Sequence, residues 1–226
     1  LEKKQNTLLS KMITGLMRLF FRLLYHPLAW SYDLVAAVVS LGRWKDWVKR
    51  ALPLLAGPRV LELGFGPGHL QGYLQDAGFI SFGLDESCQM ARQARQRLLR
   101  QRQAPHLARG MAQHLPFASG TFQCVVATFP TLYIINPQTL AEVRRVLVPG
   151  GRLVVLSTAW ITGGGLLEGA ARWLFDVTGQ VPPKDARLEE MVEPYTRAGF
   201  QASIKFVEPK GSRLMFIVAK AAQNLH

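Results

Sequence analysis

The sequence predicts an α/β fold: a doubly wound, mostly parallel sheet of seven strands, with an antiparallel C-terminal hairpin and a helical N-terminal cap. Three observations carry this. Strand-like runs alternate with helical segments, as βαβ units require. The runs are apolar almost throughout, which suits strands covered on both faces. The last two runs are joined by a link too short for a parallel crossover. With 226 residues and 49% apolar residues, the chain can bury one large core.

Residues 1–57 make the expected cap. LLSKMITGLMRLFFRLLYHPLAW, Leu8 to Trp30, reads as an amphipathic helix with Lys11, Arg18 and Arg22 on one face. A transmembrane span needs about 20 mostly apolar residues. Here arginines interrupt the run, His26-Pro27 ends it, and no signal-peptide cleavage pattern follows. Two readings stay open: the helix covers a pocket mouth, or residues 1–24 lie on a membrane surface. The next stretch reads as helix up to Gly57-Pro58.

Residues 58–226 make the core. Arg59 to Leu63 is the first strand, followed by a glycine loop and a helix over Leu70 to Ala77. ISFGLD is the second strand, ending at Asp85. An arginine-rich helix leads to a short strand near His106 to Gly110. CVVAT, Cys124 to Thr128, is the fourth strand. A helix over Pro137 to Val146 closes at Pro149-Gly150-Gly151, a sharp turn before RLVVLST. An insert at about 159–185 carries Trp160, Trp173, Phe175 and the hinge-like Gly163 to Gly165. QASIKFVE and RLMFIVAK form the hairpin.

The net charge of +12 favours acidic partners without choosing among nucleic acid, anionic lipid and an anionic substrate. Arg92, Arg95, Arg97, Arg100 and Arg102 are spread around their helix, as on a solvated face. The two cysteines, Cys88 and Cys124, have no metal-ligand spacing and suit a reduced, cytoplasmic setting, peripheral on the inner membrane surface where residues 1–24 contact lipid.

VLELGFGPGHL, Val60 to Leu70, places Glu62 before Gly64, Gly66 and Gly68. Glycine permits the tight strand-to-helix turn and close approach of a ligand to the main chain. Ligands of open α/β sheets bind at the carboxyl ends of the strands, so a nucleotide-like ligand is expected there. Asp85 ends the second strand, where a carboxylate can accept from a ribose diol; its alternative role is an N-cap. The loop is neither a dinucleotide fingerprint, since His69 stands where the third glycine belongs, nor a P-loop.

The loop, with GLDESCQMARQAR, GMAQHLPFASGTF, VVATFPTLYIIN and VLVPGGRLVV, resembles the class I S-adenosylmethionine-dependent methyltransferases, notably the ubiquinone and menaquinone group. That resemblance implies a Rossmann-like core, S-adenosylmethionine as cofactor and S-adenosylhomocysteine as product. It implies cofactor contacts from Glu62, Gly64, Phe65, Gly66, Gly68, Asp85 and Glu86. Met90, Met111 and Ala112 would lie by the adenine, and Thr128 by the methionine part. Tyr32-Asp33 resembles a pair in the family's cap. Met111, Gln123 and Tyr133 depart from residues usual in the family.

Methyl transfer from a sulfonium is a direct displacement, so alignment and water exclusion dominate. A base is needed only for a protonated acceptor; His26, Tyr32, His69 and Tyr133 are the candidates. No metal is expected. Tyr25, Tyr32, Tyr133, Trp160 and Trp173 are the candidate pocket residues, for a small apolar, aromatic, amine or lipid-like acceptor. RNA methylation is the alternative; nucleic acid is less favoured because Thr128-Phe-Pro-Thr131 poorly matches the motif of base-amine methylation. A non-catalytic membrane- or partner-binding protein on the same fold is the third reading.

Overall fold

The computed structural model describes residue 37 and residues 40–162 and 185–222. The Leu8–Trp30 helix, Tyr25, His26, Tyr32, Asp33, Trp173 and the three-glycine hinge lie outside them. Among the described residues, no helix is long and apolar enough to cross a membrane.

Seven strands form one sheet: β1 Arg59–Leu63, β2 Ile80–Asp85, β3 Leu107–Arg109, β4 Phe122–Thr128, β5 Leu147–Ile161, β6 Phe200–Val207 and β7 Ser212–Ala221. Their order is β3-β2-β1-β4-β5-β7-β6. The first five are parallel. β7 runs antiparallel between β5 and β6. The chain reverses direction across the sheet between β1 and β4, and a crevice opens beyond the strand ends at that switch point.

The described helices are α1 Trp44–Lys49, α2 His69–Asp76, α3 Cys88–Arg100, α4 Pro137–Val146 and α5 Asp185–Arg197. Alternate strand residues face opposite sides. Leu61, Leu63, Val125 and Val155 pack with Leu140 and Val143 of α4 and Tyr195 of α5. Val60, Val126, Val154 and Leu156 pack with Trp47 and Val48 of α1 and Leu70 and Leu74 of α2. Burial on both faces explains the unbroken apolar runs. Cys124 lies in the second of these cores, where burial pushes its thiol up to about 12.

Two local expectations are corrected. The helix does not continue to Gly57: the chain turns at Leu41 and Gly42, both with positive φ, makes the short α1, and then a 3-10 turn over Leu52–Leu54. Pro53 lacks the amide hydrogen that a longer helix would use there. Pro149–Gly151 is not a free turn before β5 but a bulge within its range. Leu147 pairs with Phe122, and pairing resumes at Arg152 with Cys124.

Gln123 also acquires a reason. Its Oε1 accepts from the Arg59 main-chain N–H at 3.0 Å, fixing the start of β1 beside β4. Its side chain fills the space into which a Cβ on Gly57 would project.

Candidate functional site

A cavity of about 360 Å³ lies beyond the carboxyl ends of β1, β2 and β4. Its first wall is the loop from β1 into α2. Gly64, Gly66 and Gly68 all take positive φ, at 70°, 52° and 81°, but for different physical reasons. A Cβ on Gly64 would lie 2.8 Å from the Tyr133 hydroxyl, and one on Gly68 would lie 2.7 Å from the Ala94 Cβ of α3. At Gly66 a Cβ would meet nothing within 4 Å. Gly66 therefore leaves bare main chain beside open space, the arrangement a closely approaching ligand requires.

Asp85 clasps this loop. Its Oδ2 accepts from the Gly66 N–H and its Oδ1 from the Ser87 N–H, each at 2.8 Å. Each carboxylate oxygen keeps a further lone pair for a ligand hydroxyl. Burial raises the Asp85 pKa, with the Ser87 and Gly66 amides opposing. The N-cap of α3 is Ser87, whose Oγ accepts from the Met90 N–H at 3.3 Å. Asp85 is thus left to the cavity and the loop.

Beneath the loop, Glu62 is 1% exposed. Its Oε2 accepts from Gln71 Nε2 at 2.9 Å, and the same nitrogen donates to the Phe82 carbonyl at 3.1 Å. Burial holds the Glu62 carboxyl well above its ordinary range; Gln71 opposes this and Asp85 adds to it. A buried carboxylate whose donor among the described residues is the neutral Gln71 amide is complementary to a cation, whose approach favours the ionised form.

The third wall, Gly110 to Gln113, follows β3. It is anchored from α4 through the adjoining residues. Glu142 Oε2 accepts from the Leu115 N–H at 2.7 Å, while Arg145 donates to the Leu115 and Phe117 carbonyls at 3.0 and 2.7 Å. Hydrogen bonding from Arg145 holds the Glu142 carboxyl down at about 2.

The fourth wall joins α1 to the exit of β4. Thr128, Phe129, Pro130, Thr131 and Tyr133 face Trp44 and Val48 across it. Phe129 takes φ 48°, a conformation costing a bulky residue about 1–3 kcal/mol. Its N–H donates to the Leu156 carbonyl at 2.7 Å, and its ring stacks on Trp44 with centroids 4.4 Å apart. The Tyr133 hydroxyl donates to the Leu63 carbonyl at 3.1 Å, tying this wall to the first.

The cavity gathers Glu62, Gly64, Phe65, Gly66, His69, Asp85, Glu86, Met111, Ala112, Thr128 and Tyr133. His69, considered as a base, is nearly buried and faces the Arg97 guanidinium, 2.6 Å from Nδ1 and 2.8 Å from Nε2. A guanidinium only donates, so the ring accepts.

Three expected residues do not line the cavity. Gly68 serves the packing of its loop on α3. Met90 is fully buried on the α3 stripe that includes Ala94 and Leu98. Trp160 is buried in β5, paired with Arg213 of β7. Conversely, Trp44, Val48 and Phe129 line the cavity without having been anticipated. Reading the helix as unbroken to Gly57 hid the first two; the Trp44-Trp47-Val48 spacing, one apolar helical face, was the available signal. Nothing local marked Phe129, whose left-handed backbone is set by the sheet.

Residues 61–155 match the protein family described as "Methyltransferase domain". The chain is 36% identical over 146 residues to a demethylmenaquinone methyltransferase of Lactiplantibacillus plantarum, covering 60% of this chain and 61% of that protein. Its fold is similar to that of a Haemonchus contortus phosphoethanolamine N-methyltransferase in complex with S-adenosylhomocysteine, with TM-score 0.56, 18% identity and coverage of 80% and 53%. It is also similar in fold to the cyclase SpnF, with TM-score 0.57, 16% identity and coverage of 80% and 81%.

Proposed function

We propose that this chain, whose residues 61–155 form a class I S-adenosylmethionine-dependent methyltransferase domain, methylates a small apolar or lipid-like acceptor. The observation that carries the proposal is the convergence of bare main chain at Gly66, the Asp85 carboxylate and the buried Glu62 on one cavity. The donor set fits the cofactor. Asp85 has lone pairs for sugar hydroxyls, Glu62 complements positive charge, and Phe65, Leu84, Met111 and Ala112 offer apolar surface to a flat ring.

When bound, S-adenosylmethionine supplies a methyl group activated by its sulfonium. The protein's share is binding, alignment and water exclusion. Thr128 and Tyr133 stand at the β4 exit, in the same wall as Trp44 and Phe129. Tyr133 holds its hydroxyl proton on the Leu63 carbonyl, which suits it to position the loop. For the acceptor, the name of the Lactiplantibacillus relative points to a quinone-type ring with an apolar tail. Residues 1–24, if they lie on a membrane, would bring the chain to such an acceptor; flotation with anionic liposomes, with and without those residues, tests this.

Calorimetry with S-adenosylmethionine and S-adenosylhomocysteine, followed by transfer of labelled methyl to a demethylnaphthoquinol, tests the proposal. Micromolar binding and label in the organic phase are expected. Folded protein that binds neither nucleoside overturns it. Cofactor binding without turnover over a broad acceptor panel would favour a non-methylating protein on the same fold, as the SpnF likeness illustrates.

A further inference from the structure

We infer that Glu62 meets the incoming cofactor as an uncharged carboxylic acid and gives up its proton to solvent as the ligand's ammonium group arrives. This deepens the proposed function and rests on it for the identity of the ligand. Three observations support the exchange. The first is isolation. Glu62 is 1% exposed. In the sheet it pairs with Gly83 of β2 and Val126 of β4, neither of which brings a charge. Ionising a carboxyl in such a place without a counter-charge is costly.

The second observation is the donor. Gln71 is fully buried, and its Nε2 donates both to Glu62 Oε2 and to the Phe82 carbonyl. A carbonyl only accepts, so the amide is held with its nitrogen toward the acid. It brings no charge, and it serves the neutral acid and the carboxylate alike. The third is the surroundings. The other titratable groups lining the cavity are Asp85 and Glu86 at the end of β2, His69 of α2, and Tyr133 beyond β4. His69 accepts from Arg97, as a neutral ring does. Among the described lining residues there is no lysine or arginine. The charges that line the cavity are therefore negative, and they oppose ionisation of Glu62 until a cation comes. Burial acts in the same sense, holding the carboxyl well above its ordinary range. An ammonium reverses the balance by supplying the missing counter-charge. S-adenosylmethionine and S-adenosylhomocysteine both carry one, so the proton stays off through turnover and returns when the product leaves.

Calorimetry of the full chain with S-adenosylhomocysteine, in buffers of different ionisation enthalpy, counts the proton. The pH series stays below the range in which the ligand's own amino group titrates. Release approaching one proton is expected, with affinity rising up to about tenfold per pH unit as pH increases. Methylthioadenosine keeps the sugar, the base and the sulfur but has no ammonium. It should release little, and what it does release measures Asp85. Glu62→Gln, which keeps the shape of the neutral acid, should fold and should erase the difference between the two ligands. Infrared difference spectra follow the protonated carboxyl directly. Its band should be missing from Glu62→Gln, and in the wild type it should persist to higher pH without S-adenosylhomocysteine than with it. Equal proton release with both ligands, or a carboxyl band that the ligand does not move, overturns the exchange and leaves the cofactor reading standing. Folded protein that binds neither nucleoside sinks the cofactor reading and the exchange with it.

Discussion

The two long walls of the cavity are built by different means. The wall facing β2 is a hydrogen-bonded lattice: Asp85 clasps Gly66 and Ser87, Gln71 joins Glu62 to Phe82, and Glu142 with Arg145 anchors the loop after β3. The wall facing α1 is held by rings and one unusual backbone angle. Directional bonds define where a polar ligand's atoms sit; stacked rings define a plane and tolerate sliding within it. A common polar ligand and a variable apolar one would call for that division.

The largest contrast comes from two glycines of the first wall. Gly68→Ala forces a Cβ against Ala94 in a left-handed conformation and should cost roughly 3 kcal/mol of stability in urea unfolding. Gly66→Ala puts its methyl into open space, so only the backbone term of about 1–2 kcal/mol is expected. Its main effect should be loss of S-adenosylhomocysteine binding in calorimetry. If the Gly66 variant binds normally, the bare main chain is not the cradle.

Next comes Asp85→Ala, which removes the acceptor of two main-chain amides and, in the proposed function, of a sugar hydroxyl. Nucleoside binding should weaken by about 1–3 kcal/mol in calorimetry. Unchanged nucleoside binding in the folded variant would show that the hydrogen-bonded wall is not the cradle.

Smaller is Glu142→Gln. The partly exposed Glu142–Arg145 pair should contribute about 1 kcal/mol at neutral pH, after solvent screening. Because the folded pKa is lowered to about 2, that contribution is present above the ordinary value of 4.5 and is lost as pH falls through about 2. The difference in thermal midpoint between wild type and variant should therefore shrink in acid.

Glu62→Gln sharpens the same idea with the opposite sign. The Glu62 pKa is raised by burial, so its contribution is fully present below 4.5 and lost as pH rises through the raised value. Without ligand, the variant should gain on the wild type as pH rises, by a few degrees at most. A variant that loses ground to the wild type as pH rises would contradict the burial argument.

The polar wall was largely legible in the sequence, because its parts are local: a strand, a glycine turn, an acid at the next strand end. Alternating apolar runs likewise revealed the sheet, and the short Pro209–Ser212 link revealed the hairpin. The apolar wall was not legible, since it depends on where Leu41-Gly42 breaks the chain and on a φ imposed on Phe129 by pairing with β5. Met90 lies outside the cavity lining, and the recurrence of Met90, Ala94 and Leu98 every four residues is the mark of a helical stripe turned to the core. Gly68 shows that a glycine of this loop can serve packing on α3 while its neighbour Gly66 faces open space, which spacing alone does not separate.

Gln123 and Gly57 occupy each other's room at the foot of the sheet, far along the chain from one another and away from the cavity. Neither position can drift alone: a larger residue at 57 demands a shorter one at 123, which would surrender the clamp on the first strand. A shorter residue at 123 would relieve the clash at 57, but the positive φ of Gly57, 72°, would still strain any side chain placed there, so glycine is held at 57 by its backbone as well as by its neighbour.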